Sequence, residues 1–596
     1  MMLQSIILIP LFFLSITTSG KKFFDEMGRE LLLRGVNLSG VSKYPSSKSG
    51  SFVNRPFPLE DAKEHFARIR DLGMNHIRFI TTWEAIEGDG PGLYDEEYIT
   101  YVADFCKLAA DWGIYVVIDM HQDLFSRYLL GSGAPRWTLE AAGLDLRSLF
   151  EADALVDPRL LEKQNPEYLH LAWYFNYNRI ACQTMFTLFF GGKTFTPSFC
   201  VGEKNIQDLL QSHYIDAVCY LMERLKENPF VVGCNTMNEP NAGLIGKNLY
   251  GRPENPLGPS PRYVDSLKMG AGFCCEVDVF KRKWTQLLQT GTTLLNPKGL
   301  RIFKNGSPFE KEGVYRTENG RFQLLIPHYF TFKYLPFDFQ RDFYFPFVEK
   351  LKKRLNKVHP DYLLFIEGLV GENIPSLPDS LRTNTVFSFH WYEGIAFYLK
   401  KFLSNLSYSH LEKRVVWGRA SYVLEKMEEE LETLSNHPIP SLLSETGFSR
   451  DIPLMDRKKC FDRLFNLLEK LRLSATFWHY SPQGDAWNFE NFSIYKEGEE
   501  NDLTPFYRPY PQRVPGELIH FSFDPVHKIL SLEWMQDCMN LSPLEIFCPK
   551  GFDLVGEPRF SILKGENTLF IYPLHNVKEK GEGTALMRAY LQFAEG

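Results

Sequence analysis

Val231-Val232-Gly233-Cys234-Asn235-Thr236-Met237-Asn238-Glu239-Pro240 is an apolar run that ends in a carboxylate. A second run of the same kind is Ser441-Leu442-Leu443-Ser444-Glu445-Thr446-Gly447. Short apolar runs without polar alternation are the mark of strands buried on both faces in a parallel sheet. A carboxylate at the C-terminal end of such a strand faces the mouth of a barrel, where catalytic groups gather. Two such acids can cleave a glycosidic bond, one protonating the leaving oxygen and the other attacking or stabilising the sugar carbon.

The pattern extends outward from these two runs. Leu31 to Val36 is a strand candidate, led by a small hairpin at Phe24 to Glu30. Ala62, Phe66, Ile69 and Leu72 share one face of a helix over 60–72, as the 3.6-residue period requires. The strand His76 to Ile80 follows, then a helix marked by Tyr98, Val102, Phe105, Ala109 and Trp112, then the strand Ile114 to Met120. Leu209 to Leu225 is helical and leads into the Glu239 strand. Tyr362 to Ile366, Val386 to Trp391, Leu442 to Glu445 and Ala475 to Trp478 bring the strands to eight. Eight strands alternating with helices predict a (β/α)8 barrel, with Glu239 ending strand four and Glu445 strand seven.

Two stretches break the rhythm, 121–205 and 241–335, and are expected to be loop insertions. After about residue 500, Pro505, Pro509, Pro511 and Pro515 punctuate a linker. His520 to Phe523 and Thr568 to Tyr572 then alternate like antiparallel strands. The expected organisation is a leader over 1–20, a catalytic barrel over 21–500 and a β-sandwich over 505–596.

The whole chain has 596 residues, 44% of them apolar, 23% charged and 15% aromatic. Its length exceeds one compact core. A net charge of −7 with no long basic run argues against nucleic acid as a partner. The aromatic content fits either sugar and lipid sites or a large aromatic core. Ile6 to Leu14 is too short to span a membrane but suits a leader, with small residues at Thr17, Thr18, Ser19 and Gly20. Export is the expectation from that segment; its lack of Lys and Arg leaves an intracellular enzyme as the alternative. The ten cysteines form no C-x-x-C pair, and Cys106, Cys219 and Cys234 read as buried thiols.

Other strand ends carry groups aimed at the same mouth: Arg78, His121, Asp123, Asn238, His390, Tyr392 and Trp478. Arg78 beside Glu445 would hold that carboxylate ionised, as a nucleophile needs. Glu239, as the acid, must start protonated. Asn238 suits the sugar 2-hydroxyl, His121 and Asp123 other hydroxyls, and Trp478 the ring face. There is no H-E-x-x-H, no zinc spacing, no P-loop and no G-x-S-x-G elbow. No metal, no cofactor and no obligate protein partner are expected.

At these residues the sequence resembles glycoside hydrolase family 5: Asn238-Glu239-Pro240 looks like its acid/base motif and Glu445 like its nucleophile. Longer strings are similar to the endoglycoceramidase-related branch, which includes fungal glucosylceramidases and steryl β-glucosidases. They are Arg34-Gly35-Val36-Asn37-Leu38-Ser39-Gly40, Asn54-Arg55-Pro56-Phe57-Pro58-Leu59, Asp119-Met120-His121-Gln122-Asp123, Gly133 to Glu140, Met185 to Gly192 and Phe477 to Pro482. The likeness spans about 28 to 596. It implies a retaining barrel enzyme in which Lys43, His121, Asp123, Asn238, Tyr392 and Trp478 contact glucose.

The expected activity is therefore a retaining β-glucosidase acting on a glycolipid at a membrane surface, with the two insertions forming an apolar groove and the sandwich helping to present the site. An endoglycoceramidase releasing a whole oligosaccharide is the alternative. A catalytically dead lipid- or carbohydrate-binding protein is the reading from another class. Arg136 stands where relatives carry a small residue, and is expected near the mouth.

Overall fold

The computed structural model describes residues 16–595 apart from 47, 160–171, 255, 284–285, 332–336, 486–489, 556–559 and 573–582. The leader-like run 6–14 lies outside the described residues.

Eight parallel strands close into a barrel: β1 (Arg34–Leu38), β2 (His76–Thr81), β3 (Tyr115–Met120), β4 (Val231–Asn235), β5 (Leu363–Ile366), β6 (Thr385–His390), β7 (Ser441–Thr446) and β8 (Ser474–Tyr480), each paired with its neighbours in sequence and β8 with β1. Seven were legible as short, largely apolar runs; the first was expected at Leu31 to Val36, but Leu31 pairs with Arg513 in another sheet and the barrel strand starts at Arg34. Nearly every residue in the eight is buried. Close packing of β4 on β5 requires glycine at 233, because a Cβ there would lie 1.9 Å from the Leu363 carbonyl oxygen.

The outer ring is built from α1 (Ala62–Asp71), α2 (Glu96–Asp111), α3 (Ile180–Phe195), α4 (Ile206–Leu225), α5 (Phe345–Val358), α6 (Ala420–Ser435) and α7 (Leu454–Leu471). On α1 the residues Ala62, Phe66 and Ile69 are buried, with Leu72 just past its end. Asp95 caps α2, accepting from the Tyr98 N–H at 2.9 Å. The β5-to-β6 connection carries only a short 3₁₀ turn, Asp379–Leu381. No helix among the described residues is long and apolar enough to cross a membrane.

The stretch 121–205 is less irregular than its sequence implied. Its apolar string Met185 to Phe190 lies in α3 and is buried on every side. A helix apolar all round has no polar face for a periodic pattern to reveal. Phe189 packs on Phe347 of α5, with ring centroids 5.2 Å apart. Likewise 241–335 holds a helix, Tyr263–Gly270, and a long hairpin, Cys275–Lys283 with Gln286–Leu295.

Beyond residue 505, two antiparallel sheets enclose a separate core that includes Leu518, Phe521, Trp534, Leu544, Ile546, Leu569 and Leu591. The first sheet begins at the other end of the chain. Thr17–Ser19 pairs with Lys22–Phe24, that strand with Glu30–Leu31, and the last with Tyr510–Val514. The small residues read as the end of a leader thus form a strand and its turn. The sandwich is tied to the barrel by buried polar contacts. Arg508 donates to Glu469 of α7 at 2.9 Å, and the Tyr510 hydroxyl donates to the Gly73 carbonyl at 2.6 Å.

Candidate active site

The C-terminal ends of the strands converge on one buried cation. Arg78 of β2 is 1% exposed. Its Nη1 donates to Glu445 Oε1 at 2.6 Å and to Asn37 Oδ1 at 2.9 Å. Its Nη2 donates to Asp119, Asn238 and Glu367 at 2.8, 2.8 and 2.9 Å. A guanidinium that stays charged and offers five donors suits this role, and a lysine would not.

Glu445 is buried, which alone would push its pKa up. His390, Arg78, His121 and Lys43 outweigh that and hold it below the ordinary carboxylate range. The Tyr392 hydroxyl donates to its second oxygen at 3.1 Å. Both oxygens of this carboxylate are therefore held, as an attacking group requires.

His390 ends β6. A register shift between Phe389 and His390 sets it opposite Glu445, the kind of irregularity that re-aims side chains at barrel rims. Its Nδ1 is 2.8 Å from Glu239 Oε1 and 3.5 Å from Glu445 Oε2. Nε2 is 3.6 Å from Glu367 Oε2. Burial would lower its pKa, but Glu445, Glu367 and Glu239 raise it to about 9.

Glu239 follows β4 with φ at 41°, a left-handed conformation that a non-glycine residue adopts at a cost. Two side chains hold it there. Its N–H donates to Glu367 Oε2 at 2.7 Å, and Gln122 Nε2 donates to the carbonyls of Asn238 and Glu239 at 2.8 and 2.9 Å. One ligand atom each from Glu239, His390 and Glu445 lies within 4.8 Å of the others. That spacing could admit a cation, although the Glu239–His390 pair already closes on itself as a hydrogen bond.

Lys43 Nζ donates to Asp123 at 2.8 Å, and His121 Nε2 is 3.3 Å from the same oxygen. His121 Nδ1 is 2.7 Å from Asp119. Trp478 stacks on His121 at 5.6 Å between centroids, and Lys43 lies 4.6 Å from the Trp478 ring centre. These groups line a cavity of about 170 Å³.

Of the ten residues expected at the site, Lys43, His121, Asp123, Asn238, Glu239, Tyr392, Glu445 and Trp478 line this cavity. Arg78 and His390 lie beneath it, touching the carboxylates. Arg136 is exposed and pairs with Glu140 at 2.9 Å, away from the cavity. Sequence reading missed Glu367, Asp119, Asn37, Gln122 and Glu490. Glu367 follows the apolar run Leu363 to Ile366, the same signal that marked Glu445. Glu490 sits in an irregular loop with no pattern to mark it.

A family model described as cellulase, glycosyl hydrolase family 5, matches residues 25–148, and one described as the glycoside hydrolase family 5 C-terminal domain matches 508–582. A glucosylceramidase of Rhizopus delemar is 32% identical over 89% of this chain and 89% of its own. The chain belongs to glycoside hydrolase family 5. Within that family it is also 29% identical to an ergosteryl-beta-glucosidase of Saccharomyces cerevisiae, over 83% of this chain and 76% of that one. The crystal structure of Cryptococcus neoformans sterylglucosidase 1 matches it with a TM-score of 0.87 at 26% identity, covering 97% of each chain. A family 5 member is a glycoside hydrolase, and in this one Glu239 follows β4 while Glu445 lies near the end of β7.

Proposed function

We propose that this family 5 enzyme is a retaining β-glucosidase that removes one glucose from a lipid glucoside, either glucosylceramide or a steryl glucoside. The observation that carries the mechanism is the approach of Glu239 and Glu445, one carboxylate oxygen of each lying within 4.8 Å of the other with His390 touching both. Retaining enzymes hold their carboxyl groups about 5–5.5 Å apart, and inverting ones at least about 6.5 Å to admit a water. Glu445 attacks the anomeric carbon as the bond to the lipid oxygen breaks, and Glu239 gives that oxygen its proton. Glu239 then takes a proton from water, whose oxygen displaces Glu445 and frees glucose. Arg78 and Tyr392 hold Glu445 ionised and oriented before attack, so little reorganisation remains for the transition state.

The lipid reading draws support from a second groove, about 390 Å³, that continues from the glucose cavity past Glu239. Trp173, Val370, Tyr398 and His410 belong to both, and Tyr174, Tyr177, Pro253 and Leu369 extend the groove. It leaves the cavity on the side of the proton donor, where the departing group must go. Presentation to a membrane is part of the proposal. The hairpin Cys275–Lys283 and Gln286–Leu295 is anchored beside this groove by Arg252 on Asp278 at 2.8 Å. It exposes Leu287 and Leu288 together with Lys281 and Lys283, a pairing of apolar and basic groups suited to a lipid surface. Export remains in the proposal on the strength of the apolar run 6–14.

Incubating the purified protein with glucosylceramide and a steryl glucoside side by side, and measuring free glucose, tests this. Release from either supports the proposal. Release only of an intact oligosaccharide from a longer glycolipid would replace it with endoglycoceramidase activity.

A further inference from the structure

One carboxylate in the glucose cavity takes no part in the chemistry above. Glu490 follows β8 in the loop after residue 480 and lines the cavity with Lys43, Asp123 and Trp478. None of those four borders the groove on the Glu239 side. The Trp478 indole N–H donates to Glu490 Oε2 at 3.2 Å. Behind it, Phe492 packs with Trp478 and Ile80 in a small buried cluster, so this end of the cavity is walled.

A pyranose whose C1 lies between Glu239 and Glu445 turns its opposite edge, with O3, O4 and O6, toward this wall. His121 and Asp123 stand there already, held by Asp119 and Lys43. The Trp478 bond uses one acceptor site of Glu490, and a carboxyl group has more to offer. We propose that Glu490 is a specificity-determining residue that recognises a hydroxyl at the far edge of the glucose, O4 or O6, beside the Lys43–Asp123 pair. This rests on the glucosidase reading and adds to it the group that tells glucose from a sugar lacking that hydroxyl.

The electrostatics agree. Burial raises the pKa of Glu490, and Asp485 and Asp123 add to this against Lys43 and the Trp478 bond, leaving it at about 8. Near neutral pH the group is a carboxylic acid. It can then accept from Trp478 and donate to a sugar oxygen, which a carboxylate cannot do.

The test is a cycle of kcat/KM values. Wild type, Glu490→Ala and Glu490→Gln are assayed on p-nitrophenyl β-glucoside and on its 4-deoxy and 6-deoxy analogues. Glu490→Ala should lose about tenfold or more on the parent glucoside, the scale of a lost hydrogen bond in a buried site. On one of the two deoxy analogues it should lose less than about threefold. Glu490→Gln keeps a donor and an acceptor and should restore most of the loss. Wild type should lose kcat/KM as pH rises through about 8, and Glu490→Gln should abolish that fall. Equal losses on all three substrates would overturn the proposal, and Glu490→Gln keeps the test decisive if the alanine variant does not fold. A wild type inactive on the parent glucoside would instead count against the glucosidase reading itself.

Discussion

The two ends of the substrate cleft are built from different materials. The glucose end is walled, and its polar groups are locked to one another: Lys43 to Asp123, His121 to Asp119, Trp478 to Glu490, Tyr392 to Glu445. The groove end is open and of mixed character: Tyr174, Tyr177, Pro253 and Leu369 stand there with Asn178, Lys247, Glu254 and Lys413. A sugar is told from its isomers by hydroxyl positions, so its site needs donors and acceptors fixed in advance, and leaving one unpaired is costly. A departing group bound mainly by shape and apolar area can rest on the aromatic side of such a groove without fixed polar partners. Glu239, with its left-handed backbone, lies at the junction and borders both.

The contrast can be broken most severely at the glucose end. Glu445→Gln should lower kcat by about 10⁴-fold or more, close to 5.5 kcal/mol at 1.36 kcal/mol per tenfold. The far-UV circular dichroism spectrum should be unchanged. Glu239→Gln should lose about 10²–10⁴-fold on glucosylceramide, the range for a general acid. On dinitrophenyl β-glucoside, whose leaving group needs no proton, it should lose far less in the first step; parallel losses on both substrates would remove Glu239 from that role.

A subtler probe is pH. The His390 pKa rises from its ordinary value near 6.5 to about 9 in the folded state. A group raised in this way stabilises the fold fully below about 6.5, and the contribution is lost as pH climbs through about 9. Thermal unfolding of wild type should fall over that window more steeply than that of His390→Gln; identical slopes would contradict the charged-histidine picture. The smallest change belongs to the groove. Tyr174→Ala should raise KM for the lipid glucoside several-fold, on the scale of about 1 kcal/mol of lost apolar contact, and leave the aryl glucoside unaffected.

Much of this was legible in the sequence because it is local. A buried strand must be an apolar run, and a carboxylate at its end cannot hide, so the barrel strands and both glutamates could be read directly. Arg78 on Glu445 was foreseen from charge alone. The parts that escaped have physical reasons. Asn37 and Asp119 lie inside strands, where nothing distinguishes a polar residue facing the barrel centre from an ordinary interruption. Glu367 carried the right signal but no motif around it. Glu490 meets Trp478 from outside any strand or helix, where no period marks a residue. The union of residues 17–31 with 510–514 depends on pairing across nearly the whole chain, which no local period encodes. Helix α3 was obscured by being apolar all round.

The most direct test of the double displacement is to trap its intermediate. The enzyme would be incubated with 2,4-dinitrophenyl 2-deoxy-2-fluoro-β-glucoside, digested, and its peptides weighed. The expected result is time-dependent inactivation with one fluoroglucosyl group on Glu445. A label on any other residue, or steady turnover with no covalent adduct, would contradict the assignment of Glu445 as the nucleophile.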